Sequence, residues 1–306
     1  MKDMDYRNLM GVECLAASSC NGRGVTVAVL DSGDPKPLCF PACMAIGPEG
    51  DVDDEFGHAT AVASILFGGT GTRGLCEGAY PLYVKVLDNS GNGSVRSVSD
   101  GIRCAIDHGA DIINLSLGFA RTDKCPKALR KACEMAAGAG KTIVCAAGND
   151  GGPVNWPAAL DSTICVGSAG ENGLKTAFSS VGEVDFVAPG TNLRVIDQRG
   201  LIKTVSGTSY SAALVTGVAA LLVKKIGSSD IDLVRKALRE LAQDVDADGW
   251  DKMTGYGLIS GRRGTFCDST VCMKIKPSFF DRILHRIQGL LGLAGSTKQG
   301  DKNGRV

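Results

Sequence analysis

Residues 206–222 read Ser-Gly-Thr-Ser-Tyr-Ser-Ala-Ala-Leu-Val-Thr-Gly-Val-Ala-Ala-Leu-Leu. No charge interrupts the run before Lys224, and its small and apolar residues leave it without a polar face. A helix that is apolar all round has to be buried. The rest of the chain must therefore supply a core wide enough to enclose it. Ser209 falls at the start of this helix, where unpaired backbone N–H groups and the positive end of the dipole favour negative charge. Taken by itself, the stretch asks no more of Thr208 or Ser209 than to cap the helix.

A chain of 306 residues is long enough for one large α/β domain around such a helix. Lys plus Arg and Asp plus Glu both number 33, so the formal net charge is zero, which argues against a general nucleic-acid binder. The N-terminus, Met1-Lys2-Asp3-Met4-Asp5-Tyr6, has no apolar core and no small-residue cleavage site, unlike a signal peptide. No apolar run is expected to span a bilayer. These features predict a cytoplasmic protein, with a secreted mature form stripped of its leader as the alternative. Twelve cysteines bear on the same question. Cys104, Cys133, Cys145 and Cys165 fall in predicted helices or strands and read as small core residues. Cys14/Cys20, Cys39/Cys43 and Cys267/Cys272 are close pairs without C-x-x-C spacing, so free thiols or local disulfides both remain open.

Short β-branched runs alternate with helical patterns along the chain. Residues 24–30 form a buried strand ending at Asp31-Ser32-Gly33. Gly57-His58 opens a small-residue helix through about Leu66. Strands are predicted at Leu82–Leu87, Asp111–Leu115, Lys141–Ala147, Thr163–Val166 and Val184–Val187. Helices are predicted at Val95–His108, Pro126–Ala139, from Ser209, and at about Ile231–Ala242. The alternation implies an α/β fold, a doubly wound and mostly parallel sheet with helices on both faces. In such sheets, sites are built at the C-terminal ends of the strands.

That edge is where the chemically capable residues fall. Asp31 can orient an imidazole, His58 can take and return a proton, and Ser209 can attack a carbonyl. Each triplet alone is a common turn or cap, whereas the three together in suitable contexts are not. His108 and His285 lack the local setting of His58. The motifs Val-Ala-Val-Leu-Asp31-Ser-Gly, Gly57-His58-Ala-Thr-Ala-Val-Ala and Gly207-Thr208-Ser209 resemble the aspartate, histidine and serine motifs of the subtilisin-like serine protease (subtilase) family. Asn114-Leu115-Ser116-Leu117-Gly118, Ala146-Ala147-Gly148-Asn149, Asp185-Phe-Val-Ala-Pro189-Gly190 and Gly249-Trp250-Asp251…Thr254-Gly255-Tyr256-Gly257 extend the likeness over roughly residues 20–260. The resemblance implies a serine endopeptidase acting on protein or peptide through Asp31, His58 and Ser209. Asn149 and the Ser209 N–H would hold the oxyanion, and Ser116, Leu117, Gly118, Gly148, Asp150 and Asn155 would contact substrate.

The chain departs from the family pattern at Ala59, at Ala213-Leu214, and at Tyr210, which stands where the family commonly has Met. A peptide ligase or cyclase on the same machinery, and a non-catalytic binding protein of the same fold, are the alternative readings. No redox cofactor is required. Calcium is possible at Asp244-Val-Asp246-Ala-Asp248-Gly249 or at the acidic run Asp51–Glu55, although both also read as acidic turns. Asp150 at the rim and Asn155 at the floor of an open, glycine-walled pocket predict a mild preference for Lys or Arg before the cleaved bond, with Asp51–Glu55 adding to the field. Residues 1–273 form the expected catalytic domain. Residues 274–306, with seven basic and two acidic residues, form an amphipathic helix and tail. That helix would dock on its own domain, on a partner or on an anionic membrane surface.

Overall fold

A computed structural model describes residues 4–12, 21–36, 44–47 and 50–259. In chain order the elements are β1 (Met4–Asp5), α1 (Tyr6–Met10), β2 (Thr26–Asp31), β3 (Met44–Ile46), α2 (His58–Phe67), β4 (Thr72–Arg73) and β5 (Tyr80–Lys85). There follow α3 (Val95–Asp107), β6 (Ile112–Leu115), α4 (Lys127–Gly138), β7 (Thr142–Ala146), β8 (Ile164–Ala169) and β9 (Phe186–Pro189). The last are β10 (Leu193–Ile196), β11 (Ile202–Val205), α5 (Thr208–Ile226), α6 (Ile231–Leu241), β12 (Ala242–Gln243) and β13 (Leu258–Ile259).

Nine strands form one sheet in the order β12-β13-β9-β8-β7-β6-β2-β5-β3, parallel except where β12 meets β13. Strands β6, β7 and β8 are buried at every residue, as expected of a parallel sheet covered on both sides. Alternate residues serve opposite faces. Ile113 and Leu115 of β6 join a buried cluster with Ile102 of α3 and with Leu129 and Cys133 of α4. Asn114 between them turns the other way and accepts from Thr216 Oγ1 of α5 at 2.9 Å. The apolar helix α5 is thus enclosed, packed against β6 to β9 and α2. It approaches so closely that a Cβ on Gly217 would stand 2.5 Å from Leu75 Cβ. By length and apolarity α5 would qualify as a membrane span, contrary to expectation, but 78% of its most apolar window is buried inside the fold.

The expected α/β architecture is present, with elements close to their predicted bounds. The strand expected at 82–87 instead occupies Tyr80–Lys85, because Val86 N–H and Leu87 N–H both donate to the Asp31 carbonyl and the chain leaves the ladder there. The β10–β11 hairpin was not anticipated. Its turn is organised by Asp197, whose Oδ1 accepts from the N–H groups of Arg199 and Leu201, both at 2.9 Å. Cys133, Cys145 and Cys165 are buried free thiols, as are Cys76 and Cys125, while Cys104 is half-buried. The three close cysteine pairs and the whole of 274–306 lie outside the described residues.

Candidate active site

The site lies along the C-terminal ends of β2, β6 and β7 and at the starts of α2 and α5. Asp31 closes β2 and is fully buried. Its Oδ1 accepts from Ser32 N–H at 2.8 Å. His58 is the first residue of α2, and its Nδ1 lies 2.8 Å and 2.9 Å from the two Asp31 carboxylate oxygens. Burial by itself would lower the His58 pKa. The Asp31 charge and hydrogen bond outweigh that effect and hold it above the ordinary histidine range.

What positions His58 is a residue that sequence reading treated only as part of an acidic run. Asp54 is buried, and its Oδ1 accepts from Gly57 N–H and Ser32 Oγ, both at 2.7 Å. Its Oδ2 accepts from Thr60 N–H at 2.7 Å and from the Thr60 hydroxyl. Asp54 therefore satisfies the open end of α2 from outside the helix. Through Ser32 it is also linked to the Asp31 carboxylate. The signal was present in the sequence as an acid three residues ahead of a glycine that begins a helix. The rest of the run is also locally engaged. Asp51 pairs with Lys85 at 3.1 Å and Asp53 with Lys36 at 2.5 Å, so their charge is set against nearby lysines rather than the cleft.

Ser209 is the second residue of α5. Its hydroxyl donates to the Ser116 carbonyl at 2.9 Å, while the Ser116 hydroxyl donates to the Ser209 carbonyl at 2.8 Å. The hydroxyl is therefore turned toward the strand end and not toward His58 in this structure. Thr208 orders the other side. Its Oγ1 accepts from Gly148 N–H at 3.3 Å and donates to Asn149 Oδ1 at 3.0 Å, and its N–H donates to the same Oδ1 at 2.9 Å. Because an N–H can only donate, the Asn149 atom facing it is the oxygen. The Asn149 NH₂ is thereby directed to the opposite side, and its nitrogen would lie 3.6 Å from a Cβ on Gly207.

The substrate-contact residues divide into two groups. Ser116, Leu117, Gly118 and His58 line a cleft of about 380 Å³ together with Phe56, Leu87, Gly91–Gly93 and Phe119. The chain distance between these segments hid the second set from sequence reading. Gly118 also lies against Asn155, as does Gly148. A Cβ on Gly118 would sit 3.0 Å from Asn155 Cβ, and one on Gly148 would sit 2.7 Å from Asn155 Nδ2. Asn155 Oδ1 is buried without a hydrogen-bond partner. Asp150 is exposed. Gly152 N–H and Ser180 Oγ donate to its Oδ1, both at 2.9 Å, and these bonds hold its carboxyl below the usual range.

Among the described residues no group of three or more His, Cys, Asp or Glu gathers as a metal site. In the loop considered for calcium, Asp244 Oδ2 accepts from Gly249 N–H at 2.7 Å and Asp251 accepts from the Met253 and Thr254 N–H groups.

A buried carboxylate on an imidazole, with a serine at the mouth of a core helix on a parallel sheet, is the arrangement of a serine hydrolase. A profile of the subtilase family matches residues 22–257, and the chain belongs to that family. It is 35% identical over 247 residues to the minor extracellular protease Epr of Bacillus subtilis, covering 78% of this chain and 38% of that protein. It is 33% identical over 253 residues to Subtilisin Savinase of Lederbergia lenta, covering 80% of this chain and 91% of that one. A crystal structure of a cold-adapted subtilisin-like serine proteinase superposes with a TM-score of 0.69 at 28% identity, covering 80% of this chain and 91% of that one. The chain thus spans well under half the length of Epr. The expectation of a cytoplasmic protein is overturned by the same comparison, since Epr is by name an extracellular protease.

Proposed function

We propose that this chain is a serine endopeptidase and that, like the extracellular protease Epr, it acts outside the cell. The observation that carries the reading is the pair of contacts from His58 Nδ1 to both Asp31 oxygens, with Ser209 at the start of α5, where the ring of the next residue, Tyr210, stands 5.8 Å from the imidazole. In the reaction, rotation of the Ser209 side chain transfers its hydrogen bond from the Ser116 carbonyl to His58 Nε2. Ser209 Oγ attacks the peptide carbonyl as His58 takes its proton, and Asp31 stabilises the imidazolium. The Asn149 NH₂ and the Ser209 N–H donate to the oxyanion. His58 then protonates the leaving amine. Water, deprotonated by His58, hydrolyses the acyl-enzyme and restores Ser209. None of these steps requires a redox cofactor.

Labelling of the full chain by a fluorophosphonate probe tests this directly. Stoichiometric labelling of Ser209, lost in Ser209→Ala, is expected, and an unlabelled native chain would sink the reading. Product masses from a peptide in the presence of a competing amine separate hydrolysis from ligation.

The pocket before the scissile bond is proposed to tolerate, and mildly prefer, Lys or Arg. The exposed, charged Asp150, expected at the rim from the sequence, and the unpaired Asn155 Oδ1 support this. An exposed charge contact contributes only about 1 kcal/mol or less, so salt should weaken the preference. Cleavage of a peptide library only after large apolar residues, unaffected by salt and by Asp150→Asn, would remove it. The tail 274–306 is proposed on its sequence to be dispensable, so a chain ending near Lys274 should keep activity.

A further inference from the structure

Two aromatic rings that the mechanism above does not use stand near the His58 imidazole. Phe56 lies with its centroid 6.4 Å from the imidazole and tilted by 40°, and Tyr210 with its centroid 5.8 Å away and tilted by 47°. The rings come from different parts of the chain, the loop before α2 and the first turn of α5. Backbone devices seat both. Gly57, at φ 82°, turns the chain between Phe56 and His58 so that both side chains line the cleft. Gly91 receives the Phe56 ring, since a Cβ there would stand 2.5 Å from Phe56 Cζ. Tyr210 follows Ser209 directly and is half-buried.

The Asp31 contacts anchor the imidazole at Nδ1, so its tilt about that anchor is set by what packs against the ring. Proton transfer at Nε2 needs the ring plane held toward Ser209. Aromatic rings at these separations attract one another, and a ring within about 6 Å also attracts a cation, a reach that Tyr210 meets and Phe56 slightly exceeds. We propose that Phe56 and Tyr210 clamp the His58 imidazole as positioning residues, limiting its tilt and favouring its protonated form. The inference rests on the serine-protease reading of the site. Because the imidazolium forms as Ser209 attacks, the clamp acts more strongly in the transition state than in the ground state.

The other groups facing His58 are Asp31 from β2 and Asp54 from the loop before α2, which favour its charge, and Lys203 from β11, which opposes it. The Tyr210 hydroxyl is pushed up to about 12 by burial, then by Asp31, and stays neutral through the working range.

The test uses the full chain carrying Ser209→Ala and ¹⁵N-labelled histidine. The three histidines are resolved by removing His108 and His285 in turn. Phe56→Leu and Tyr210→Leu should each lower the His58 titration midpoint by roughly half a pH unit. Phe56→Tyr and Tyr210→Phe keep a ring and should match the parent. In the active chain, Tyr210→Leu should lower kcat about three- to tenfold with KM changed less than twofold, and the ascending limb of kcat/KM should move to lower pH. An unmoved midpoint in both Leu variants, or a loss in Tyr210→Phe equal to that in Tyr210→Leu, overturns the clamp. A native chain that resists fluorophosphonate defeats the protease reading instead, and the titration still judges the clamp.

Discussion

Replacing Asp54 by Ala removes four acceptor contacts at once, to Gly57 N–H, Ser32 Oγ, Thr60 N–H and Thr60 Oγ1. Loss of a capping side chain costs about 0.5–2 kcal/mol. Each buried donor left unpaired adds about 1–3 kcal/mol. Offsetting this, the buried carboxylate no longer has to be desolvated, and water can enter its place. With Gly57 N–H and Thr60 N–H as the two backbone donors at stake, the net is about 3–4 kcal/mol, a large share of the ~5–15 kcal/mol that holds a typical domain together. Asp54→Asn should cost about 2–3 kcal/mol, because its single oxygen serves one backbone donor while its NH₂ opposes the other. Urea unfolding in a Ser209→Ala background, which prevents self-digestion, measures both. Since α2 begins with His58, the active chain should also lose turnover by about tenfold or more. A destabilisation below about 1 kcal/mol with kcat within twofold of the parent would refute the reasoning. It would mean that α2 is held by its packing and not by this carboxylate.

Asn149→Ala should lower kcat by about 10²–10³, the range known for such a donor in a subtilisin, with KM little changed, because the oxyanion exists only beyond the ground state; steady-state kinetics check it. Arg235 Nε lies 3.2 Å from the half-buried Asp185 carboxylate, so Arg235→Met should destabilise the fold by about 1–3 kcal/mol, readable as a lower urea midpoint. His58 is held above its ordinary value, so the ascending limb of kcat/KM should have its midpoint above about 6.5, and Asp31→Asn should lower it. Because the folded-state value is raised, the His58 contribution to stability is full below the unfolded pKa and is lost as pH rises through the folded one. His58→Ala should remove that decline from unfolding curves recorded between pH 6 and 8.

Local pattern determined the elements and their order. The β-branched run before Asp31, the small-residue helix after Gly57 and the apolar run after Ser209 each bury themselves for reasons visible within a dozen residues. The acid, the imidazole and the hydroxyl could be found because each sits at the end of such an element. Whatever depends on contact between distant segments was decided by tertiary structure. Asp54 becomes a helix cap only because the loop before α2 folds back over its start. Asn149 presents its NH₂ only because Thr208, 59 residues on, occupies its oxygen. Phe56 meets His58 at the angle it does only because Gly91 leaves room for its ring. Side-chain direction and partner choice are set by packing across the sheet, and no period in the chain encodes them.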